Sequence, residues 1–281
     1  PLHSSLANRA RLHLKIITTN NTNVMKKILT AALLGLSLNS FADNAPLWLR
    51  FSAISPDGQT IAFSYKGDIF SVPVNGGTAK QLTTNSAYDA YPVWSPDGQK
   101  IAFASTREGS MDVYLMDKNG GVPKRLTTNS GSETPMAFTD NSHVLFTSAG
   151  MPTAKSIFFA SGTFPQTYEV GIDASRPRLY SPMTMYDVSI RSNGDILYHD
   201  AKGYEDNFRK HHRSPVTRDI WLYSKGNYTK LTDFNGEDRT PVWAGNDNAY
   251  YYLSEEDGTF NVYKRNIDGS GKKQLTFHKK N

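Results

Sequence analysis

The chain repeats one four-part theme, and that repeat limits its fold more than any other feature. The two clearest copies open with Ser55-Pro56-Asp57-Gly58 and Ser95-Pro96-Asp97-Gly98. Each is followed by an apolar run, Ile61-Ala62-Phe63-Ser64 or Ile101-Ala102-Phe103-Ala104, and then by an acid-led run, Asp68-Ile69-Phe70 or Asp112-Val113-Tyr114. A Gly-Gly turn and Gln81-Leu82-Thr83 or Arg125-Leu126-Thr127 complete the unit. Aligned on the residue before the first turn, five units carry Ile54, Trp94, Phe138, Ile190 and Trp243, at steps of 40, 44, 52 and 53 residues. The third strands are expected to start at Asp68, Asp112, Ser156, Asp219 and Asn261, and the last strands carry Leu82, Leu126, Leu179, Leu231 and Leu275. Short strands repeating with a period near 40 residues are the signature of propeller blades. The sequence therefore predicts an all-β fold: a β-propeller of four-stranded antiparallel blades, about five of them present. The units run over about 47–85, 86–129, 130–182, 183–234 and 235–277.

Turn chemistry explains the theme. Pro presets one turn dihedral, Asp bonds nearby backbone, and Gly accepts positive φ. Later units keep turn formers in Thr139-Asp140-Asn141, Arg191-Ser192-Asn193-Gly194 and Ala244-Gly245-Asn246-Asp247. Uneven steps imply two insertions. One lies between the third and fourth strands of unit three, around 162–175, and the other between the second and third strands of unit four, at 202–215. A lone blade cannot bury both faces, so Trp94, Phe138 and Trp243 are expected to fill layers between blades. Residues 276–281 read as the lead into a further unit, so the chain is expected to hold part of a ring of six or more blades.

Charge is distributed unevenly. Residues 1–42 hold Arg9, Arg11, Lys15, Lys26 and Lys27 without an acid, and the remaining 26 Lys and Arg equal the 26 Asp and Glu. The repeat region is thus neutral overall, which argues against nucleic acid as a partner. Met25-Lys26-Lys27, the apolar run Ile28 to Leu38 and Ser40-Phe41-Ala42 read as a secretory signal peptide over 25–42, cleaved after Ala42. Residues 1–24 read as translated upstream sequence, and 43–281 as the propeller. The expected location is beyond the inner membrane, periplasmic or extracellular, without embedding in a membrane. With no cysteine in the chain, disulfides, thiolate metal sites and a lipoprotein anchor are excluded.

The stretch Tyr91-Pro92-Val93-Trp94-Ser95-Pro96-Asp97-Gly98, with Ile101-Ala102-Phe103-Ala104-Ser105, Arg107-Glu108-Gly109, Asp112-Val113-Tyr114 and Arg125-Leu126-Thr127, resembles the WD-like propeller repeat shared by TolB and tricorn-type proteases. Arg218-Asp219-Ile220-Trp221-Leu222-Tyr223, Tyr228 to Phe234 and Glu237 to Trp243 look more specifically like secreted bacterial tricorn-type serine proteases, as does the preceding Arg209-Lys210-His211-His212. The resemblance spans about 43–281. It implies a parent with a second propeller, a PDZ-like domain and a serine protease core that cleaves peptides through an acyl-enzyme. The catalytic serine and histidine of such a parent lie in that core, so none is carried onto this chain. The implied role here is to filter or guide peptides and to dock downstream domains of the same, homo-oligomeric protein. Two other readings stay open: a TolB-like protein-binding propeller with no enzyme, and the cap of an α/β-hydrolase peptidase.

A search for chemistry finds no Gly-x-Ser-x-Gly elbow, no His-Glu-x-x-His and no dinucleotide fingerprint. No catalytic residue, metal ligand set or cofactor is expected. Gly269-Ser270-Gly271-Lys272-Lys273 falls at a strand-three to strand-four turn, which outweighs its likeness to a phosphate loop. Asp68, Asp112 and Asp219 recur at one blade position, which favours a structural role through local hydrogen bonds. Arg209, His211, His212 and Arg213 lie in the unit-four insert. They form the candidate substrate- or partner-binding group, a basic loop suited to a peptide carboxylate or another domain. A solvated loop is the plainer reading, and a metal site with His199 the remote one. Tyr250-Tyr251-Tyr252 matches the second-strand position, so alternate tyrosines are expected to fill the core.

Overall fold

The computed structural model describes residues 48–149, 165–203, 214–245 and 248–279, and among them every regular element is a strand. Blade one comprises β1 (Arg50–Ile54), β2 (Thr60–Tyr65), β3 (Asp68–Pro73) and β4 (Lys80–Gln81). Blade two comprises β5 (Asp89–Trp94), β6 (Lys100–Glu108), β7 (Ser110–Asp117) and β8 (Gly120–Arg125). Blade three comprises β9 (Glu133–Asp140), β10 (His143–Ser148), β11 (Gln166–Gly171) and β12 (Arg178–Ser181). Blade four comprises β13 (Tyr186–Ile190), β14 (Ile196–His199), β15 (Ile220–Ser224) and β16 (Asn227–Lys230). Blade five comprises β17 (Asp238–Trp243), β18 (Ala249–Ser254), β19 (Asn261–Asn266) and β20 (Lys273–Gln274). Each sheet pairs its strands in chain order, so the chain is a five-blade propeller of antiparallel meanders. The first strands of successive blades adjoin one another and form the inner wall.

Local chemistry sets each blade. In the first turn, Ser55 Oγ donates to Asp57 Oδ1 at 2.5 Å and accepts from Thr60 N at 2.9 Å, while Gln59 N donates to the same carboxylate at 3.0 Å. Ser95, Asp97, Gln99 and Lys100 repeat these bonds. In both turns the serine hydroxyl, then the backbone N–H, holds the Asp carboxyl below its ordinary range. At the far edge the recurring Leu-Thr pair has a direct cause. The leucine N–H donates to the strand-three carbonyl, Leu82 to Ile69 and Leu126 to Val113, each at 2.8 Å. The threonine Oγ1 then accepts the N–H of that same strand-three residue: Ile69 to Thr83 at 3.0 Å, Val113 to Thr127 at 2.9 Å, Ile220 to Thr232 at 3.0 Å and Val262 to Thr276 at 2.9 Å. A side chain thus extends the short outer ladder by one bond.

Unit three departs from the sequence expectation. Its third strand is Gln166–Gly171, paired with β10 at six positions from His143↔Gly171 to Ser148↔Gln166, and does not start at Ser156. Ser156-Ile157-Phe158 mimics the Asp-Ile-Phe start, whereas the strand itself begins Gln166-Thr167-Tyr168. Ser156 lies outside the described residues. The extra length therefore falls between strands two and three rather than after strand three, as it does in blade four, where β14 ends at His199 and β15 begins at Ile220.

The core consists of four apolar layers, each shared by two consecutive blades. Ala62, Ile69 and Leu82 of blade one meet Ile101, Phe103, Tyr114 and Met116 of blade two, with Trp94 packed against them. Ala102, Val113, Leu115 and Leu126 of blade two meet Phe138, Val144, Phe146 and Tyr168 of blade three. Leu145 of blade three meets Met185, Ile196 and Tyr198 of blade four. Leu197 and Ile220 of blade four meet Trp243, Tyr250, Tyr252 and Tyr263 of blade five. Trp94, Phe138 and Trp243 thus sit where the repeat places them, as do Tyr250 and Tyr252, while Tyr251 is exposed. Removing one such aromatic side chain costs about 3–5 kcal/mol in a packed core.

Polar staples run beside these layers. The indole N–H of Trp94 donates to Ala53 O at 3.1 Å, and that of Trp243 to Ser189 O at 3.0 Å, in each case on the preceding blade. Lys80 Nζ reaches Asn119 O at 3.0 Å and Lys124 Nζ reaches Ile172 O at 2.9 Å, each on the next blade. Gly120 has φ of 90°, and a Cβ there would stand 2.8 Å from Leu82 O, so the blade-one to blade-two approach requires glycine.

Asp89, Glu133 and Asp238 occupy the first position of β5, β9 and β17 and are fully buried. Asp89 pairs with Arg107 at 2.7 Å. Burial pushes Glu133 up to about 7, and the nearby Asp112 acts in the same direction. Burial likewise pushes Asp238 up to about 6. Both folded values lie above the unfolded ones, so their stabilising contribution is full below the usual carboxylate range and is lost as pH rises through 6 to 7. Denaturant melts should therefore show wild-type protein losing stability between about pH 5 and pH 8. Glu133→Gln should reduce that loss by roughly 1–3 kcal/mol; an unchanged pH slope in the variant would contradict the assignment.

Candidate functional site

The inner strands share a distortion that shapes the axis of the fold. The β1–β2, β5–β6, β13–β14 and β17–β18 pairings each slip in register in the first half of the inner strand. At each slip stands a non-glycine residue with left-handed backbone: Phe51 (φ 51°), Tyr91 (φ 56°), Asp187 (φ 47°) and Thr240 (φ 55°). All four lie three residues before the repeat landmarks Ile54, Trp94, Ile190 and Trp243. The corresponding residue of blade three is Pro135, whose ring forbids positive φ. The slip there falls between Leu145 and Phe146 of the partner strand, leaving Met136 as the extra residue. Bulges of this kind re-aim side chains, and strained backbone of this kind concentrates at functional positions.

Three of these bulges, at Phe51, Tyr91 and Asp187, face a cavity of about 770 Å³ that all of the first four blades line. Phe51 and Tyr91 meet across the blade-one to blade-two boundary with ring centroids 3.8 Å apart. Opposite them, Tyr186 and Asp187 belong to blade four. Ala53, Val93, Met136 and Val188, one from each of these blades, line both this cavity and a second of about 710 Å³ toward the other end of the inner strands. They form an apolar waist between the two. Another concavity of about 690 Å³ lies by the first turns of blades one and two, but its carboxylates, Asp57 and Asp97, already serve those turns.

Around Asp187 the groups are tightly arranged. Thr240 Oγ1 donates to Asp187 Oδ2 at 2.7 Å. His199 stacks on Tyr186 at 5.7 Å, accepts Thr240 N at Nδ1 (3.3 Å), and keeps that nitrogen 3.5 Å from Asp187 Oδ2. Burial pulls the imidazole down to about 3, against the attraction of Asp187, so it is neutral at physiological pH. Burial also raises the Tyr91 and Tyr186 hydroxyls.

Arg209, His211, His212 and Arg213 lie outside the described residues. The flanks of their insert are described. Asp200 accepts Asp219 N at 2.9 Å and Trp221 Nε1 at 3.0 Å, and Lys202 bonds Asp219. Because His199 pairs with both Tyr186 and Ile220, the insert springs from the same end of blade four as Asp187. The recurring aspartates have structural partners, and these are mainly side chains: Gln81 and Thr83 for Asp68, Arg125 for Asp112, Lys230 for Asp219. His199 is committed to the strand interior, and no group of three or more potential metal ligands comes together among the described residues. The axial cavity itself was missed in the sequence; its one signal is the bulge position, three residues before each landmark.

Four-stranded blades around a walled axis define the class of protein as a WD-like β-propeller. The model of the tricorn protease N-terminal beta propeller domain matches residues 46–281, and the chain belongs to that family. Tricorn protease homolog 1 of Streptomyces coelicolor is 28% identical over 236 residues, covering 83% of this chain and 21% of that protein. The chain thus spans about a fifth of that relative's length. Among solved structures, the tricorn protease superposes with a TM-score of 0.66 at 21% identity, over 83% of this chain and 23% of that one. TolB from Acinetobacter baumannii superposes with a TM-score of 0.57 at 20% identity, over 80% and 53%. These structural likenesses speak to the fold. No helix among the described residues is long and apolar enough to cross a membrane.

His199 provides a direct check on this arrangement. Its ring resonances should stay in the neutral position from pH 8 down to pH 5 in NMR titration, whereas a ring that protonates near pH 6.5 would contradict its burial.

Proposed function

We propose that this chain is the non-catalytic propeller region of a secreted, tricorn-like serine peptidase, and that it receives extended peptides along its axis and guides them toward downstream domains. The observation that carries the reading is the inner wall. β1, β5, β9 and β13 each stand at the edge of their sheet, so their outward backbone groups have no partner strand within the blade. Such edges pair with extended peptides, and side-chain pockets beside them add selection. The apolar waist of Ala53, Val93, Met136 and Val188 would let a chain pass without fixing its sequence. Membership of the tricorn N-terminal propeller family supports the peptidase context. The signal-like segment 25–42 supports export to the periplasm or beyond. In this reading Arg209, His211, His212 and Arg213 form a basic loop that meets a peptide carboxylate or a neighbouring domain.

The purified chain should bind unstructured peptides saturably in fluorescence anisotropy and release no product from fluorogenic peptides. Turnover that a point substitution within this chain abolishes would overturn the non-catalytic reading. Failure to bind any extended peptide, with a folded protein captured instead, would favour a TolB-like partner-binding role.

A further inference from the structure

We infer that the axial cavity prefers peptides in which a cationic group stands beside an apolar or aromatic residue, with Asp187 holding the cation and the Phe51–Tyr91 ring pair holding its neighbour. This deepens the peptide-receiving reading above and rests on it.

Three observations carry the inference. First, Asp187 is the one carboxylate or basic side chain among the described residues that line the cavity, and the rest of the wall is apolar, aromatic or hydroxylic. Second, the nearby cations are engaged elsewhere. Arg218 lies 3.4 Å from Glu237, Arg239 sits 4.1 Å over the Phe260 ring, and Arg50 sits 5.3 Å over the Trp48 ring. His199, the other basic group beside Asp187, is buried and neutral. Third, Asp187 is aimed and available. Its left-handed backbone is fixed by the blade-four bulge and its Oδ2 by Thr240, while Oδ1 has no hydrogen-bond partner among the described residues and half the side chain is exposed.

A carboxylate facing aromatic rings in a partly enclosed site suits an ammonium or guanidinium group. The charge pairs with Oδ1, the tyrosine faces add cation–π attraction, and the adjoining apolar side chain lies on the tilted Phe51–Tyr91 ring pair. The cation has two possible sources, a Lys or Arg side chain or the peptide's own α-ammonium group. The shared chemistry is a cation next to an apolar residue in extended backbone.

The test uses the full chain and four C-terminally labelled octapeptides that differ at one feature. Two are N-acetylated, with an internal Phe-Lys-Phe or Phe-Glu-Phe, and two carry Phe-Ser-Phe at the N-terminus, either free or acetylated. Anisotropy titrations should show the Lys peptide, the free-amine peptide or both binding about tenfold tighter than their uncharged or acidic counterparts, as expected for one charge-assisted contact. Which of the two shows the advantage identifies the source. Asp187→Asn keeps an acceptor for Thr240 and tolerates left-handed φ, and Asp187→Gly suits that backbone without strain. Both should shrink the advantage to within about twofold while melting like wild type. Tyr91→Leu should weaken all four peptides to a similar degree. Equal binding of all four peptides by wild type overturns this inference and leaves peptide reception standing. A preference that survives in both Asp187 variants removes Asp187 from the site, and no binding of any peptide overturns both readings.

Discussion

The structure depends on a sharing rule: no blade buries its apolar faces alone. Each of the four hydrophobic layers takes side chains from two consecutive blades. Phe103, Phe146, Tyr198 and Tyr250 are all fully buried, yet each completes its layer with residues from a neighbouring sheet. The same rule explains why polar groups are arranged blade to blade. The indole staples of Trp94 and Trp243 and the lysine reach of Lys80 and Lys124 satisfy carbonyls on an adjoining unit. Placing Glu133 and Asp238 in these boundaries carries an electrostatic cost, visible in carboxyls that burial holds toward neutrality.

From this packing follows the site. Stacked blades bring their first strands together, and the bulge at Phe51, Tyr91, Asp187 and Thr240 turns those strands so that side chains from successive blades meet at the axis. Phe51 touches Tyr91 from one boundary and Thr240 holds Asp187 from another. A walled axis is thus a consequence of blade geometry, and the bulges decide which side chains line it.

Much of this was legible in the sequence. The turn sequence Ser-Pro-Asp-Gly is legible because each residue has a local task that the observed bonds perform. Trp94, Phe138 and Trp243 are legible because a repeated large aromatic at a fixed strand end must be covered by something. The third strand of blade three was misread because Ser156-Ile157-Phe158 copies the motif's residue types, while Gln166-Thr167-Tyr168 keeps only its aromatic; pairing with β10, a long-range property, decides. The axial bulge was unreadable for a different reason. Of Phe, Tyr, Asp and Thr only Asp visits left-handed backbone readily, so tertiary packing imposes it at the other three, and the exception at Pro135 is intelligible only once the geometry is known. The candidate group Arg209, His211, His212 and Arg213 belongs to an insert between strands two and three that lies outside the repeated theme, so the repeat had nothing to say about it.

The most direct test of the sharing rule is native-state hydrogen exchange on the chain carrying Phe103→Ala. Phe103 belongs to blade two, but its layer includes Ala62, Ile69 and Leu82 of blade one. If the boundary layer is the stabilising unit, amides of β2 and β3 should lose protection together with those of β6 and β7. Loss confined to β6 and β7, with β2 and β3 exchanging as in wild type, would mean that each sheet stands by itself and would contradict the account.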